Sequence, residues 1–227
     1  MNNTEFQLLV LTVYIIGVSY VFYLMYDSLD QLITIEFENE SLEEQLKQQH
    51  LDEVLEVSFK LRDRYKPDEF QELLINIRNK SEHQSIYIDW DTNVLTDFGA
   101  RSHRIIRIPP SQTLDLLQPQ VFSITAPGQI LEEKLTIENT LKRNIDEVLE
   151  ITNPIFPPKN LKEAALNDRR FTVRLILQVS EPAQGLRDGR LHALSCEFTV
   201  KKTPWKQALA WKPNPSNRKP LFKLKPK

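Results

Sequence analysis

Residues 171–179 read FTVRLILQV, and this stretch decides the fold class. Its apolar residues occupy every second position, as in a β-strand that buries one face. Residues 191–200, LHALSCEFTV, repeat this two-residue period from Leu194 onward. The predicted inward residues of the pair are Phe171, Val173, Leu175, Leu177, Val179, Leu194, Cys196, Phe198 and Val200. Residues 181–189, with two glycines and a proline, predict a long hairpin between the two strands.

The same period recurs through the preceding part of the chain. Strands are predicted at residues 55–62, 73–77, 86–90, 94–96, 104–108, 121–124 and 131–137. In the last of these, Glu133 is a charged exception on the apolar face. Strands with a single apolar face favour an antiparallel β-sandwich, because strands of a parallel sheet are apolar on both faces. The sequence therefore predicts a mainly β protein.

Two short helices complete the predicted domain. In residues 39–49, NESLEEQLKQQ, Ser41 stands three positions before a glutamate, which is the capping-box spacing at a helix start. In residues 139–150, NTLKRNIDEVLE, apolar residues recur at four-residue intervals from Leu141. Both patterns predict helices.

Residues 7–27, QLLVLTVYIIGVSYVFYLMYD, have a different composition. No charge occurs from position 8 to position 25, and a helix of this length comes close to the roughly 30 Å hydrocarbon thickness of a bilayer. A cleavable export signal fits less well, because no Lys or Arg precedes the stretch and no A-x-A site follows it. The core helix of a soluble oligomer is the remaining alternative. We predict an uncleaved single-pass transmembrane helix with the anchor residues Leu8, Val10, Ile15, Ile16, Val21, Phe22 and Leu24.

The charges of the chain form two opposed blocks. Residues 27–56 contain ten acidic residues and one lysine, whereas residues 201–227 contain nine basic residues and no acid. The net charge of −2 therefore hides an acidic segment and a basic tail. Blocks of like charge often mark solvated interaction segments, and a tail that only aids solubility is the alternative.

Aromatic residues are interspersed among the bases of the tail. The predicted partner- or membrane-binding residues are Lys201, Lys202, Trp205, Lys206, Trp211, Lys212, Arg218, Lys219, Phe222, Lys223 and Lys225. An extended segment of this kind suits anionic headgroups, with its bases near the surface and its aromatic rings at the interface. An acidic protein, or the acidic segment of the same chain, would suit it as well. Nucleic acid is not expected as a partner, because the rest of the chain is net acidic.

No local motif indicates a catalytic group, a metal site or a cofactor. Asp89, Asp91 and Asn93 occupy the first ligand positions of a calcium loop, but position six is Val94, where the sharp turn needs glycine. Cys196 lies on a predicted inward face, which favours a buried thiol over a nucleophile. The histidines, which share no helix or strand face, are His50, His83, His103 and His192. A membrane-tethered enzyme would need a pocket lined by His103 or His192 with nearby carboxylates.

A further set of motifs lies in residues 73–108, LLINIRNKSEHQSIYIDWDTNVLTDFGARSHRIIRI, and in residues 118–135, QPQVFSITAPGQILEEKL. The motif positions are Asn79, Ile88, Trp90, Asp91, Asp97, Gly99, Ser102, Arg104, Ile105, Ile106, Pro127 and Gly128. With these motifs, residues 55–200 resemble a group of cyanobacterial membrane-anchored proteins that have an immunoglobulin-like β-sandwich. The resemblance implies that fold and a thylakoid, plasma-membrane or envelope location. It implies no activity, because the motifs are turn and core residues.

The predicted organisation has four segments. Residues 1–28 form an N-terminal tail and transmembrane helix, residues 29–53 an acidic helical linker, residues 54–202 the β-sandwich and residues 203–227 the basic tail. We expect a non-enzymatic protein-interaction module, an accessory or assembly factor of a photosynthetic membrane complex. An envelope or periplasmic structural protein and a tethered enzyme are the alternatives.

The side of the membrane is predicted from composition alone. No Lys or Arg flanks the anchor closely, so the positive-inside rule has nothing to count. A basic tail suits the anionic inner leaflet, and a chain with one cysteine forms no internal disulfide. We therefore expect the β domain on the cytoplasmic side of a thylakoid or plasma membrane.

Overall fold

The computed structural model describes residues 3–30, 32–108, 119–143, 149–180 and 189–204. The chain divides into two units. The first unit combines Met1–Asp30 with Thr203–Lys227, and the second is the β domain, Gln31–Lys202.

The first unit contains helix α1, Asn3–Asp30. Its segment Phe6–Leu24 is long and apolar enough to cross a membrane, and none of this segment is buried within the described structure. The predicted anchor residues that are exposed on α1 are Leu8, Val10, Ile15, Ile16, Val21, Phe22 and Leu24. A helix that is apolar on all sides needs an apolar environment around it, so α1 is a candidate membrane span.

The β domain consists mainly of antiparallel strands. In chain order these are β1 (Ile33–Phe37), β2 (Leu55–Lys60), β3 (Leu73–Asn79), β4 (Ser85–Ile88), β5 (Val94–Thr96), β6 (Ser102–Ile108), β7 (Ser123–Thr125), β8 (Ile130–Ile137), β9 (Leu141–Arg143), β10 (Leu149–Ile151), β11 (Arg170–Ser180) and β12 (Arg190–Lys202). Helix α2 (Asn39–Gln48) follows β1, and helix α3 (Pro158–Leu166) precedes β11. The predicted mainly β, antiparallel class is confirmed.

Ten of these strands form one continuous sheet. Its order is β1-β12-β11-β5-β6-β8-β3-β2, with β4 also on β11 and β7 on β4. Strand β6 turns the corner, because residues 102–104 pair with β5 whereas residues 105–108 pair with β8. The sheet is therefore barrel-like, and the two separate sheets of an immunoglobulin-like sandwich are not confirmed.

Strands β11 and β12 pair antiparallel, and their inward faces are buried as predicted. The predicted hairpin connection at residues 181–189 lies outside the described residues except for Gly189. Phe171 lies opposite Phe198, and Leu175 lies opposite Leu194. All four side chains are buried, and the two phenylalanine rings stack with centroids 4.8 Å apart. Burying one such side chain stabilises the fold by about 1.5–3 kcal/mol, so this pair is a large part of the core.

The helix predicted over residues 139–150 is wrong. Residues 141–143 form β9 and residues 149–151 form β10, and the two strands pair with each other. Leu141 and Leu149 pack with Ile106 in a small second cluster. The pairing of β9 with β10 brings Leu141 and Leu149 together as one helical face would, so the spacing of these two residues did not discriminate between strand and helix.

The segment predicted as an acidic linker, residues 29–53, contributes to the fold. Strand β1 pairs with β12, and α2 buries Leu42 and Leu46 in the core. The predicted helix is confirmed, but its start is not the predicted capping box. The helix begins two residues before Ser41, and Glu38 is the N-cap residue without a side-chain hydrogen bond.

Helix α3 is absent from the sequence prediction. It begins at Pro158 after Pro157, and proline at the first helical turn costs no hydrogen bond. Its inward residues are Leu161, Ala164 and Ala165. Two alanines give a weak apolar pattern, which explains why hydropathy alone does not reveal this helix.

The side chains of Gln45 in α2 and of Gln49, the C-cap residue of α2, complete the edge of β12 that β1 does not reach. The Gln45 amide accepts the backbone N–H of Ser195 at 2.8 Å and donates to the carbonyl of Ser195 at 2.9 Å. The Gln49 amide donates to the Ala193 carbonyl at 3.0 Å. These amides replace the peptide groups of a neighbouring strand, and they satisfy backbone groups that would otherwise lie unpaired.

This role of Gln45 gives a stability prediction. In a Gln45→Ala variant, the Ser195 peptide loses both partners on this side, and we expect the free energy of unfolding to fall by about 1–3 kcal/mol. Urea denaturation of the full chain in mild detergent measures this change. A Gln48→Ala variant, which alters an exposed residue of the same helix, is expected to change stability by less than about 0.5 kcal/mol. Equal stability of the two variants would contradict the role of Gln45.

Candidate functional site

The β domain has a surface cleft of about 660 Å³ beside the turn after β5. Phe98, Ile155 and Phe156 provide apolar walls, and Asp97 and His103 lie at the polar side. The polar lining also includes asparagines at positions 139, 153 and 160 and the charged residues Arg101, Glu163 and Arg169. A cleft that combines apolar walls with polar and charged groups is a candidate binding site for a small molecule or a peptide segment.

Asp97 organises the turn that forms one wall of this cleft. Its Oδ1 accepts the backbone N–H groups of Gly99 at 2.8 Å and Arg101 at 2.9 Å. Its Oδ2 accepts the Nε–H of Arg101 at 2.9 Å and lies 3.3 Å from Nε2 of His103. Within the turn, Ala100 has a left-handed φ of 58°, a conformation that non-glycine residues adopt at a cost. The Asp97 hydrogen bonds hold the turn in that shape.

The same contacts determine the ionisation of Asp97. Burial disfavours the charged carboxylate, but hydrogen bonds from the backbone of Arg101 and Gly99, and from the His103 and Arg101 side chains, outweigh burial. The pKa of Asp97 is therefore lowered to about 2. The carboxylate is ionised at any physiological pH.

His103 connects this turn to the start of β9. Its Nδ1 lies 3.3 Å from the amide nitrogen of Asn139. The other ring nitrogen, Nε2, faces the Asp97 carboxylate. Both ring nitrogens are thus occupied. The described lining of the cleft contains no Ser, Thr, Cys, Lys or Tyr, so the histidine–carboxylate pair has no nucleophile beside it there.

A second polar cluster explains the charged exception in β8. Arg107 donates to Glu133 at 2.9 Å, and Ser123 donates to the same carboxylate oxygen at 3.4 Å. Trp90 in turn donates its indole N–H to Ser123 at 2.9 Å. Glu133 is only 8 % exposed, so the arginine provides the counter-charge that a buried carboxylate needs. This cluster holds β6, β7 and β8 together and is structural.

The residues of the rejected calcium loop have separate structural roles. Asp89 accepts the backbone N–H of Asp91, and the Asp91 carboxylate pairs with Arg104 at 2.5 Å. Asn93 is buried and accepts the backbone N–H of Ile176 at 2.6 Å. Burial opposes ionisation of Asp91, but Arg104 and Gln120 lower its pKa. In the described ranges, no group of three His, Cys, Asp or Glu side chains is arranged to hold a metal ion.

Several residues of the resemblance are core and turn positions, as predicted. Asn79 is fully buried and donates to the carbonyls of Gln84 and Thr125 at 2.7 and 3.0 Å. Gly128 has a φ of 73°, which suits the turn between β7 and β8. These positions fix strand connections and carry no chemistry of their own.

The remaining candidates of chemical interest are inert or occupied. Cys196 is fully buried, and burial raises the pKa of its thiol to about 12, which confirms the predicted buried thiol. The Nδ1 of His192 lies 3.0 Å from the side-chain oxygen of Gln49, and burial with the nearby charge of Arg190 lowers the His192 pKa. His50 and His83 are exposed.

The structure locates the start of the predicted tail site. Lys201 and Lys202 end β12, where Lys202 lies opposite Ile33 and Lys201 opposite Thr34. Lys201 donates to the Glu36 carboxylate at 2.7 Å, and this contact raises the Lys201 pKa. The predicted residues outside the described part are Trp205, Lys206, Trp211, Lys212, Arg218, Lys219, Phe222, Lys223 and Lys225.

Comparison of this chain with protein-family models, curated proteins and solved structures finds no match. Function therefore has to be argued from the chain itself.

The Asp97 contacts give a pH prediction. Its pKa is lower in the folded chain than the ordinary 3.8, so the stabilisation is fully present above about pH 4 and is lost as the pH falls toward 2. We expect Asp97→Asn to lower the free energy of unfolding by roughly 2 kcal/mol at pH 7. The difference from wild type is expected to shrink between pH 4 and pH 2, measured by urea denaturation at each pH.

An Asp68→Asn variant is the control, because Asp68 is exposed. An exposed surface substitution is expected to change the free energy of unfolding at pH 7 by less than about 0.5 kcal/mol. If the stability difference between Asp97→Asn and wild type does not change with pH, the charge of the Asp97 side chain does not contribute to stability.

Proposed function

We propose that this chain is a non-enzymatic, single-pass membrane-anchored interaction module, whose basic tail contacts anionic headgroups beside the anchor. The pairing of Ile33 with Lys202 carries this proposal. Ile33 is the first residue of β1 and follows the end of α1 by three positions. Lys202 is the last residue of β12, and the tail follows it directly.

The pairing determines where the tail begins. Cα atoms of paired antiparallel residues lie about 4.5–5.5 Å apart, so the chain enters and leaves the β domain at one point. The tail therefore begins at the point of the β domain at which the segment after α1 enters it. Seven further bases follow Lys202 in the tail, and each contributes about 1 kcal/mol near an anionic surface.

A binding role fits the cleft better than a catalytic one. A membrane-tethered enzyme is the second candidate function. It is supported by the His103–Asp97 pair, which such an enzyme would require. However, the Asp97 oxygens are saturated by turn hydrogen bonds, and His103 Nδ1 is occupied by Asn139. This arrangement favours a turn that shapes a binding cleft.

The proposed location and the proposed role in a complex rest on the composition of the chain and on its resemblance to cyanobacterial membrane-anchored proteins. We place the β domain on the cytoplasmic side of a thylakoid or plasma membrane, since a basic tail suits the anionic inner leaflet. The role as an accessory or assembly factor of a membrane complex, and the immunoglobulin-like relationship, follow from the resemblance to cyanobacterial membrane-anchored proteins. Proteolysis of sealed vesicles would test the side, and proteins that co-purify in mild detergent would identify the complex.

The anchor gives the first functional prediction. Two arginines at the helix centre, in an Ile15→Arg/Ile16→Arg variant, cost about 2.5–3.5 kcal/mol each in a membrane. We expect this variant to move into the soluble fraction on alkaline extraction, whereas wild type stays with the membrane. A Thr4→Arg/Gln7→Arg variant adds the same charge near the helix start and should stay with the membrane. Retention of the central variant would exclude a spanning role for α1.

The basic tail gives the second functional prediction. Trp205 and Trp211 lie among its bases, whereas Trp90 is buried in the β domain. In nanodiscs, we expect tryptophan emission to shift to shorter wavelength when anionic lipid is added, and to shift back at high salt. Replacing the seven bases from Lys206 to Lys227 with glutamine should abolish the shift.

A Trp205→Phe/Trp211→Phe variant is the matched control, since it keeps the charge and removes the signal. A lipid-dependent shift that survives in this control would come from Trp90 and not from the tail. No shift in wild type would mean that the tail does not contact lipid.

A further inference from the structure

Strand β7 has a strand partner on one side only. Ser123–Thr125 pairs antiparallel with β4, and the next strand, β8, pairs with β3 and β6 instead of returning alongside β7. Within the part of the chain that the structure describes, no strand pairs with the opposite edge of β7. β7 is therefore an edge strand, and an edge strand presents backbone groups with which another chain can pair.

The register of the neighbouring strands shows which peptide groups lie on this edge. Alternate residues of an antiparallel strand bond to opposite neighbours. The carbonyl of Arg169, the residue before β11, accepts the backbone N–H of Val200 in β12. Odd-numbered residues of β11 therefore bond to β12, and even-numbered residues such as Gln178 bond to β4. Gln178 lies opposite Tyr87, so the peptide groups of Tyr87 point toward β11.

The same alternation continues into β7. Since Tyr87 bonds to β11, the residues on either side of it bond to Ser123 and Thr125 of β7. The N–H and C=O of Ile124, which lies between these two residues, consequently point to the free edge. Extending the strand by one residue brings the peptide groups of Phe122 to the same edge.

The side chains along the free edge are apolar and exposed. Phe122 is 46 % exposed and Ile124 is 50 % exposed, so both lie in solvent beside the free edge. Residues 116–131 contain no charged residue, and this is the longest uncharged run of the β domain. Charged side chains protect many edge strands from pairing, whereas here Pro119 and Pro127 only limit the length of the edge.

We propose that β7 pairs antiparallel with β7 of a second copy of this chain, around a twofold axis at Ser123. In this register Phe122 of each copy lies opposite Ile124 of the other, and both pairs exchange backbone hydrogen bonds. The two apolar pairs lie on the exposed face, and the uncharged run brings no like charges together. A second copy fits this edge because the edge is complementary to itself. The inference goes beyond the proposed function and does not depend on where α1 lies.

Sedimentation of the full chain in density-matched mild detergent tests the pairing over a concentration series. The paired edge is short, and interfaces of less than about 1,200 Å² are weak, so we expect a monomer–dimer equilibrium that shifts with concentration. An Ile124→Lys variant places a charge opposite Phe122 twice in each dimer, and we expect its dissociation constant to rise by about tenfold. The control is Leu166→Lys, which changes an exposed residue of α3 and should keep the wild-type dissociation constant.

A charge-pair variant tests the register. In Phe122→Glu/Ile124→Lys, the glutamate of each copy lies opposite the lysine of the other. Opposite charges that face each other across an antiparallel pair attract. The dissociation constant of this variant should therefore return to within about threefold of the wild-type value.

Disulfide formation tests the same register without a change of charge. At the twofold axis, Ser123 of one copy lies opposite Ser123 of the other as a non-hydrogen-bonded pair, with Cα atoms about 4.5 Å apart, which suits a disulfide. A Ser123→Cys chain should give a disulfide-linked dimer on mild oxidation. A Thr125→Cys chain is the control, because Thr125 is equally buried but lies opposite position 121 of the other copy. It should stay free of the cross-link.

Each outcome decides the proposal. Equal dissociation constants for Ile124→Lys and Leu166→Lys would overturn it, as would a charge-pair variant that stays as weak as Ile124→Lys. A chain that is monomeric at every concentration, or equal cross-linking of the two cysteine variants, would also overturn it. If a charged variant does not fold, the cysteine variants decide by themselves. Membrane extraction and tail fluorescence are measured separately, so failure of the pairing and failure of the proposed function are distinguishable.

Discussion

The backbone hydrogen bonds between β1 and β12 join two parts of the chain that are far apart in sequence. The side-chain pair Glu36–Lys201 within this contact spans 165 positions. These bonds place the segment after α1 in the sheet, and they leave the remaining edge of β12 for the side chains of Gln45 and Gln49. The entry of the chain, the exit of the chain and the covered edge of the sheet all follow from this one pairing.

Charged side chains in the β domain stabilise strand contacts and turns. Arg107 and Glu133 neutralise each other where β6 and β8 meet, and Asp97 replaces a strand partner for the turn at residues 97–101. Each buried carboxylate has an arginine beside it, as the cost of burying an isolated charge requires. Exposed ion pairs lie along the strands, as in Lys60–Glu132, Arg78–Glu56 and Lys134–Glu72, and their side chains are open to solvent.

Local pattern predicts much of the fold and little of the site. β11 and β12 could be predicted because each alternates over many residues with one apolar face. β1 could not, because ITIEF is a five-residue strand within an acidic segment, and only its distant partner makes it a strand. Glu133 looked like an exception because its partner Arg107 is on another strand. The cleft around His103 is equally a product of long-range contacts, because its lining comes from separate segments at 97–103, 137–139 and 153–169.

The same pairing sets the order in which the protein is able to fold. β1 is synthesised near the beginning of the β domain and β12 at its end, so the sheet cannot close until nearly the whole domain exists. Contacts of such long sequence separation form late, because the entropy of loop closure precedes any gain. Ile33 and Ile35 of β1, which are buried in the folded domain, therefore lack their partner strand until β12 has been synthesised. Helix α1 ends three positions before Ile33, so whatever holds α1 during synthesis also limits how far this unpaired strand can move.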